Sequence, residues 1–203
     1  MGFLSRSSPI LRYEVRGNVE GSFWEVIDQG VRNGAFKTVE SSSLEVGFGW
    51  VSIDDFTDNE FRGASYARGN YAALALRVDT VRVPARVIEL NFKKESKKLL
   101  EETGRRRLSS SQRVELKDRL KEKLKTQVFP SIQVFDLIWD TAGAVAYFGS
   151  HSVKAREHVE THFKKSFGLT LVPLIPYLRA EQLLKDKAER QFLEKLKPSA
   201  MVS

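Results

Sequence analysis

The chain has no cysteine among its 203 residues. Disulfide frameworks, thiolate catalysis and zinc sites built on sulfur are thereby excluded. Histidine is nearly as scarce, with only His151, His158 and His162. His158 and His162 are four apart on one helical stretch, but the glutamate of His158-Val159-Glu160-Thr161-His162 is misplaced for the His-Glu-x-x-His pattern. No metal site is expected, and the two imidazoles are read as surface residues flanking Val159. No apolar run approaches the roughly 18 residues that a membrane span requires. Residues 1–8 lack the apolar centre of a signal peptide, so the expectation is a cytoplasmic protein. No serine sits in a Gly-x-Ser-x-Gly elbow. Gly47-x-Gly49 lacks the third glycine and the strand-to-helix context of a dinucleotide loop, and reads instead as close backbone packing in a strand. No cofactor is expected.

What the chain does have is positive charge, and it is local. Between Lys93 and Lys125 stand 13 Lys and Arg against 6 acids. The difference equals the formal net charge of +7 for the whole protein, so the remainder sums to neutral. The host segment reads as a helical hairpin. A first helix runs from Pro84 at its N1 position to about Thr103, marked by Val87, Ile88, Leu99 and Leu100, and Gly104 ends it. A second begins behind Ser109, with Gln112 three residues on as a capping box, and Leu116, Leu120 and Leu124 draw one apolar stripe.

The flanking chain alternates shorter elements. Leu11, Tyr13 and Val15 predict a strand. Ser22 and Glu25 predict a capping box before a helix that carries Phe23, Trp24, Ile27 and Val31 and closes at Gly34. Strands are expected over 36–40 and 44–51 with a Ser41-Ser42-Ser43 turn between them, then a loop over 52–70, then a strand over 71–78 continued by 81–83. After Pro130 a β-hairpin turns at Asp140-Thr141-Ala142-Gly143. A helix behind Ser152 carries Ala155, Val159 and Phe163 and closes at Gly168; a strand follows over 169–174, and a last helix over 179–196 places Leu184, Ala188, Phe192 and Leu196 every fourth residue. Helices set among antiparallel-looking strands without a βαβ repeat predict an α+β fold: a single domain over 1–203, with an antiparallel-type sheet, a projecting basic hairpin over 84–129 between two strand-helix halves, and a C-terminal helix and tail over 179–203.

Several segments in this order resemble the RdgC family of recombination-associated proteins. Gly49-Trp50-Val51 is similar to the family's Gly-Trp-Val, and Val83-Pro84-Ala85-Arg86-Val87-Ile88 to its Leu-Pro-x-x-Val-Ile. Gly104-Arg105-Arg106-Arg107-Leu108 resembles its Gly-Arg-x-Leu turn, with one residue more, and Leu116-Lys117-Asp118 its Leu-Lys-Asp. Trp139-Asp140-Thr141 with Gly143 falls at its Trp-Ile-Asp-Thr hairpin; Lys165-Ser166-Phe167-Gly168 and Val172-Pro173-Leu174 fall at its Lys-Ser-Leu-Gly and Val-Pro-Leu. The match spans roughly residues 10–175. It implies a non-enzymatic, nucleoid-associated protein that binds double-stranded DNA without sequence preference, forms a homodimeric ring around it and restrains RecA, a recombinase partner. It also implies a dimer interface at Phe129 and Pro84, although the family's Leu-Leu-Pro-x-Ala-Phe is Leu124 to Phe129 here, with Pro130 after the aromatic. Relative to the family, the chain reads as shortened at its C-terminal side.

The basic hairpin is read as a phosphate-tracking surface through Lys93, Lys94, Lys97, Lys98, Arg105, Arg106, Arg107, Arg113, Lys117, Arg119 and Lys121. The alternative is a solvated face whose acids pair along the helices. Phe129 is open between an interface anchor and an ordinary core residue. A second functional class is a metal-dependent exonuclease using Asp54, Asp55, Asp58 and Glu60, which serve equally well as turn formers. A third is a protein-interaction module using the helix over 179–196.

Overall fold

The computed structural model describes residues 3, 9–19, 21–38, 45–184 and 186–196. Its elements are β1 (Leu11–Arg16), α1 (Phe23–Asn33), β2 (Val46–Ser52), a 3-10 turn (Arg62–Ala64), β3 (Ala67–Arg68), β4 (Tyr71–Thr80), α2 (Ala85–Thr103), α3 (Ser110–Lys125), β5 (Ser131–Asp140), β6 (Val145–Phe148), α4 (Val153–Phe167), β7 (Thr170–Pro173), α5 (Pro176–Leu183) and α6 (Lys187–Lys195). The strands form one sheet in the order β2-β4-β5-β6-β1-β7, with β3 paired to β4. β1 pairs antiparallel with both β6 and β7, so that Tyr13 faces Ala146 on one side and Pro173 on the other. The fold is α+β, as the sequence pattern predicts. Among the described residues no helix is long and apolar enough to cross a membrane.

The chain divides into two compact units. Unit 1 comprises Met1–Ala35, Trp50–Leu76 and Phe135–Ser203; unit 2 comprises Phe36–Gly49 and Arg77–Val134.

Unit 1 holds the aromatic core. Trp139 stands edge-on to Phe23 and Phe163 and lies 5.6 Å from Phe167, while Trp50 packs on Phe167 and on the ring of His162. α4 presents Ala155, Val159 and Phe163 to this core and ends at Gly168, whose φ of 70° is the left-handed C-cap conformation that glycine adopts without strain. The Tyr13 hydroxyl donates to Glu160 Oε1 at 2.8 Å, and burial pushes its pKa above the usual phenol range. The β5–β6 turn is made by Asp140, whose Oδ1 accepts from the amides of Ala142 and Gly143.

Several expectations need correction. Ser22 precedes α1 in an extended conformation, but its side chain makes no capping bond. Phe36–Thr38 are not a strand, and the rest of the strand expected over 36–40 and the Ser41-Ser42-Ser43 turn lie outside the described residues. β2 begins at Val46 and runs unbroken through Gly47 and Gly49. Residues 81–83 do not extend β4, and β7 is confined to Thr170–Pro173.

Residues 52–70 are no plain loop. They contain the 3-10 turn and β3, and are fixed by Phe61, which is fully buried at φ 53°, and by Tyr66, which donates to Asp28 Oδ1 at 2.8 Å. His162 is buried and its Nε2 lies 2.8 Å from the Gly34 carbonyl, so it is not a surface residue.

The last helix is two. Leu184 takes an extended conformation, and the Asp186 side chain accepts from the Ala188 amide to start α6. A short polar side chain that competes for backbone amides starts helices better than it continues them. The leucine spacing passes across this break undisturbed and therefore misleads.

Candidate nucleic-acid interface

Unit 2 is organised on the hairpin. Pro84, in an extended conformation, is the N-cap of α2 rather than its first helical residue, and Gly104 closes α2 at φ 66°. The capping box at α3 is complete: Ser109 Oγ accepts from the Gln112 amide at 3.2 Å, and Gln112 Oε1 accepts from the Ser109 amide at 3.0 Å. α3 buries Leu116, Leu120 and Leu124. α2 is less deeply set, with Ile88, Phe92, Leu99 and Leu100 half-buried along one face. The two helices are thus held by one apolar seam, and their remaining faces carry most of the charge together with the exposed Val87, Leu90 and Val114.

The predicted cations fall into two groups. Those of the first are tied to carboxylates. Lys93 pairs with Glu89 at 3.4 Å, Lys97 with Glu101 at 3.9 Å and Lys98 with Glu95 at 3.6 Å, each one helical turn apart. Lys121 and Lys125 share Glu45, at 2.7 and 3.1 Å, and Lys125 also meets Glu122 at 2.7 Å. The hydrogen bonds from Lys121 and Lys125 hold the Glu45 carboxyl below the usual range, and those to Glu122 and Glu45 hold the Lys125 amine above its own. The pairs of Lys93, Lys97 and Lys98, with both partners exposed, are weak and exchangeable.

The second group has no ion pair among the described residues: Lys94, Arg105, Arg106, Arg107, Arg113, Lys117 and Arg119, all exposed. Arg105, Arg106 and Arg107 form the turn between the helices. Arg113 and Lys117, one turn apart on α3, both lie over the ring of Phe92, at 5.9 and 5.3 Å from its centre. Phe92 is a platform that the sequence reading did not single out; it sits on the apolar seam, and only the pairing of α2 with α3 brings it under these cations. A second unforeseen feature is the pair of Arg77 and Asp79. Arg77 donates twice to an almost fully buried carboxylate, at 2.9 and 2.8 Å, while its guanidinium stacks 4.3 Å from the centre of the Phe36 ring. This pair is structural: Asp79 is only 1% exposed.

Phe129, four residues beyond α3, is 92% exposed, so it is no core residue. Pro84 is also exposed, and Ile132 adds a half-open aliphatic side chain.

In unit 1 the acidic stretch is spent on its own turn. Asp54 pairs with Arg68 and Glu60 with Arg62. Asp55 accepts from the Thr57 amide and hydroxyl, which lowers its pKa, and Asp58 accepts from the amides of Glu60 and Phe61. Among the described residues no three His, Asp or Glu side chains stand together as a metal-binding group.

A search of curated proteins returns no match for this chain. The family model described as "Putative exonuclease, RdgC" matches residues 12–186. That span covers most of the chain, from the second residue of β1 through α5, and the chain therefore belongs to the RdgC family.

Proposed function

We propose that the chain binds double-stranded DNA without reading its sequence, through phosphate contacts from the cationic faces of α2, α3 and the turn between them. Family membership supports a recombination-related role. The observation that carries the DNA reading is the segregation of charge on the hairpin: a run of exposed cations with no ion pair among the described residues, densest at Arg105, Arg106 and Arg107. Like charges gathered on one turn repel, and a polyanion relieves that repulsion while releasing its counterions. Guanidinium and ammonium groups that touch only phosphates carry no base information, so the binding is indifferent to sequence.

The exposed Phe129 supports a homodimer in which this ring docks in a second copy. Binding along the nucleoid and restraint of RecA complete the proposal, and both rest on the family resemblance. We propose no catalytic role, because Asp54, Asp55, Asp58 and Glu60 are engaged in ion pairs and turn hydrogen bonds.

The test is duplex binding measured at several salt concentrations and on unrelated sequences. Affinity that falls steeply with salt and changes little with sequence is expected; affinity that stays flat with salt overturns the reading. End-labelled duplex incubated with Mg²⁺ or Mn²⁺ is expected to survive, and its stepwise shortening would establish the nuclease instead.

A further inference from the structure

The tip of the hairpin is more than a basic turn. It contains a cavity of about 340 Å³ walled by Arg106 and Arg107 from the turn, Arg113 from α3, and Phe92, Ser96 and Leu100 from α2. No carboxylate lines it, and none of its three guanidinium groups has an ion pair among the described residues. On the α2 side it is lined by the apolar Phe92 and Leu100, with the Ser96 hydroxyl the polar group there. The Phe92 ring is also the surface over which the exposed Arg113 lies, 5.9 Å from its centre, so one of the three cations has an aromatic contact beside the cavity.

This arrangement discriminates between two kinds of phosphate. A phosphodiester inside a strand carries one charge and two free oxygens, and the chain continues on both sides of it. It can cross this open depression, but it presents only two free oxygens to the arginines there. A phosphomonoester carries a charge of about −1.5 to −2 with three strong acceptor oxygens, and it can enter end-on. Guanidinium forks match such oxygens bidentately, and three forks around one cavity suit the three-oxygen group better than the two-oxygen one. Phe92 and Leu100 then offer an apolar contact to the sugar of the terminal nucleotide.

We infer that the tip cavity is a receptor for the phosphomonoester at a DNA strand end. The inference rests on the DNA-binding reading and adds to it a preference for phosphorylated ends over the interior of the duplex.

The experiment compares short duplexes that differ only in their ends: hydroxyl at both, phosphate at the 5′ end, or phosphate at the 3′ end. The full chain is used with fluorescence anisotropy at fixed salt. A phosphorylated duplex is expected to bind about five- to tenfold more tightly than the hydroxyl-ended one, the effect of one or two charge-assisted contacts. A surface that merely sums charge would register the small fractional increase in phosphate and shift far less.

Arg107→Gln with Arg113→Gln is expected to abolish the preference. Arg119→Gln with Lys94→Gln, which removes the same charge outside the cavity, weakens every duplex alike and keeps the ratio. Equal affinity for all three duplexes with a steep salt dependence overturns the inference and leaves the DNA reading standing. Loss of binding to every duplex overturns both. Deoxyadenosine 5′-monophosphate, added as competitor, separates a free nucleotide from a strand end: if it matches the phosphorylated duplex in affinity, the strand-end assignment is overturned.

Discussion

Replacing Arg105, Arg106 and Arg107 together by glutamine tests the DNA reading quantitatively. Of the 13 cations between Lys93 and Lys125, five (Lys93, Lys97, Lys98, Lys121 and Lys125) stand in ion pairs, which leaves eight without one among the described residues. The three arginines of the turn are the densest part of that set. Each phosphate contact contributes about 0.9 to the slope of log affinity against log salt, so the triple variant should flatten the slope by about 2.7. Between about 50 and about 200 mM salt this corresponds to a loss of affinity about 40-fold smaller than that of the unaltered chain. The assay is a salt titration of duplex binding by anisotropy, with circular dichroism to confirm that the helices persist. The control removes the same charge from paired positions, Lys93→Gln, Lys97→Gln and Lys98→Gln. These amines must first exchange a carboxylate for a phosphate, so the control is expected to flatten the slope by less than half as much. A triple arginine variant with an unchanged slope, or a control that matches it, would refute the argument that unpaired tip charge dominates.

Three further outcomes concern assembly and stability. Phe129→Ala should leave the melting temperature unchanged at concentrations where the chain is monomeric, because the ring is 92% exposed in the single chain, but should weaken self-association at least tenfold in concentration-dependent light scattering and lower the melting temperature where the dimer is populated. A chain that is monomeric before and after the substitution would remove the dimer proposal. Gly30→Ala sets two effects against each other. Alanine gains about 1 kcal/mol of helix propensity over glycine, yet its Cβ would stand 2.5 Å from the Ser166 carbonyl oxygen and 2.6 Å from Phe167 Cδ1. Overpacking costs about 1–3 kcal/mol, so net destabilisation is expected in thermal denaturation, and a stabilised variant would show that α1 and α4 can separate freely. Burial, together with nearby Lys165, lowers the pKa of His162, against the opposing hydrogen bond to Gly34. The unfolded chain takes up this proton near the ordinary imidazole value of about 6.5 and the folded chain does so only at lower pH. Its contribution is therefore complete above that value and is lost as pH falls through the window, at up to about 1.4 kcal/mol per pH unit. His162→Gln should flatten that part of the profile in denaturant melts at graded pH; an identical slope would count against it.

What the sequence made legible was local. The capping box at Ser109 and Gln112, the Leu116-Leu120-Leu124 stripe and the Asp140 turn depend on residues within a few positions of each other, and each lies where the pattern put it. What it hid depends on distant partners. The segment over 52–70 looks loop-like in composition, but Tyr66 is tied to Asp28, and Phe61 is buried in a conformation that a bulky side chain seldom adopts. His162 looks exposed until Gly34 is brought to it from 128 positions away. The charge of the hairpin could be counted from the sequence. Which cations Glu45 restrains, and which rest over Phe92, could not, because those contacts require α2, α3 and the start of β2 to be packed first.

The position of β1 has a consequence for synthesis. Both of its neighbours, β6 and β7, lie near the other end of unit 1: Leu11 waits for Phe148, and Arg16 waits for Thr170. At about 5–20 residues per second the ribosome needs on the order of ten seconds or more to deliver those partners. For that interval the first strand has two unsatisfied edges and an apolar face without a core. Unpaired strand edges are open to pairing with a neighbouring chain, and unit 1 cannot close until β7 has been translated.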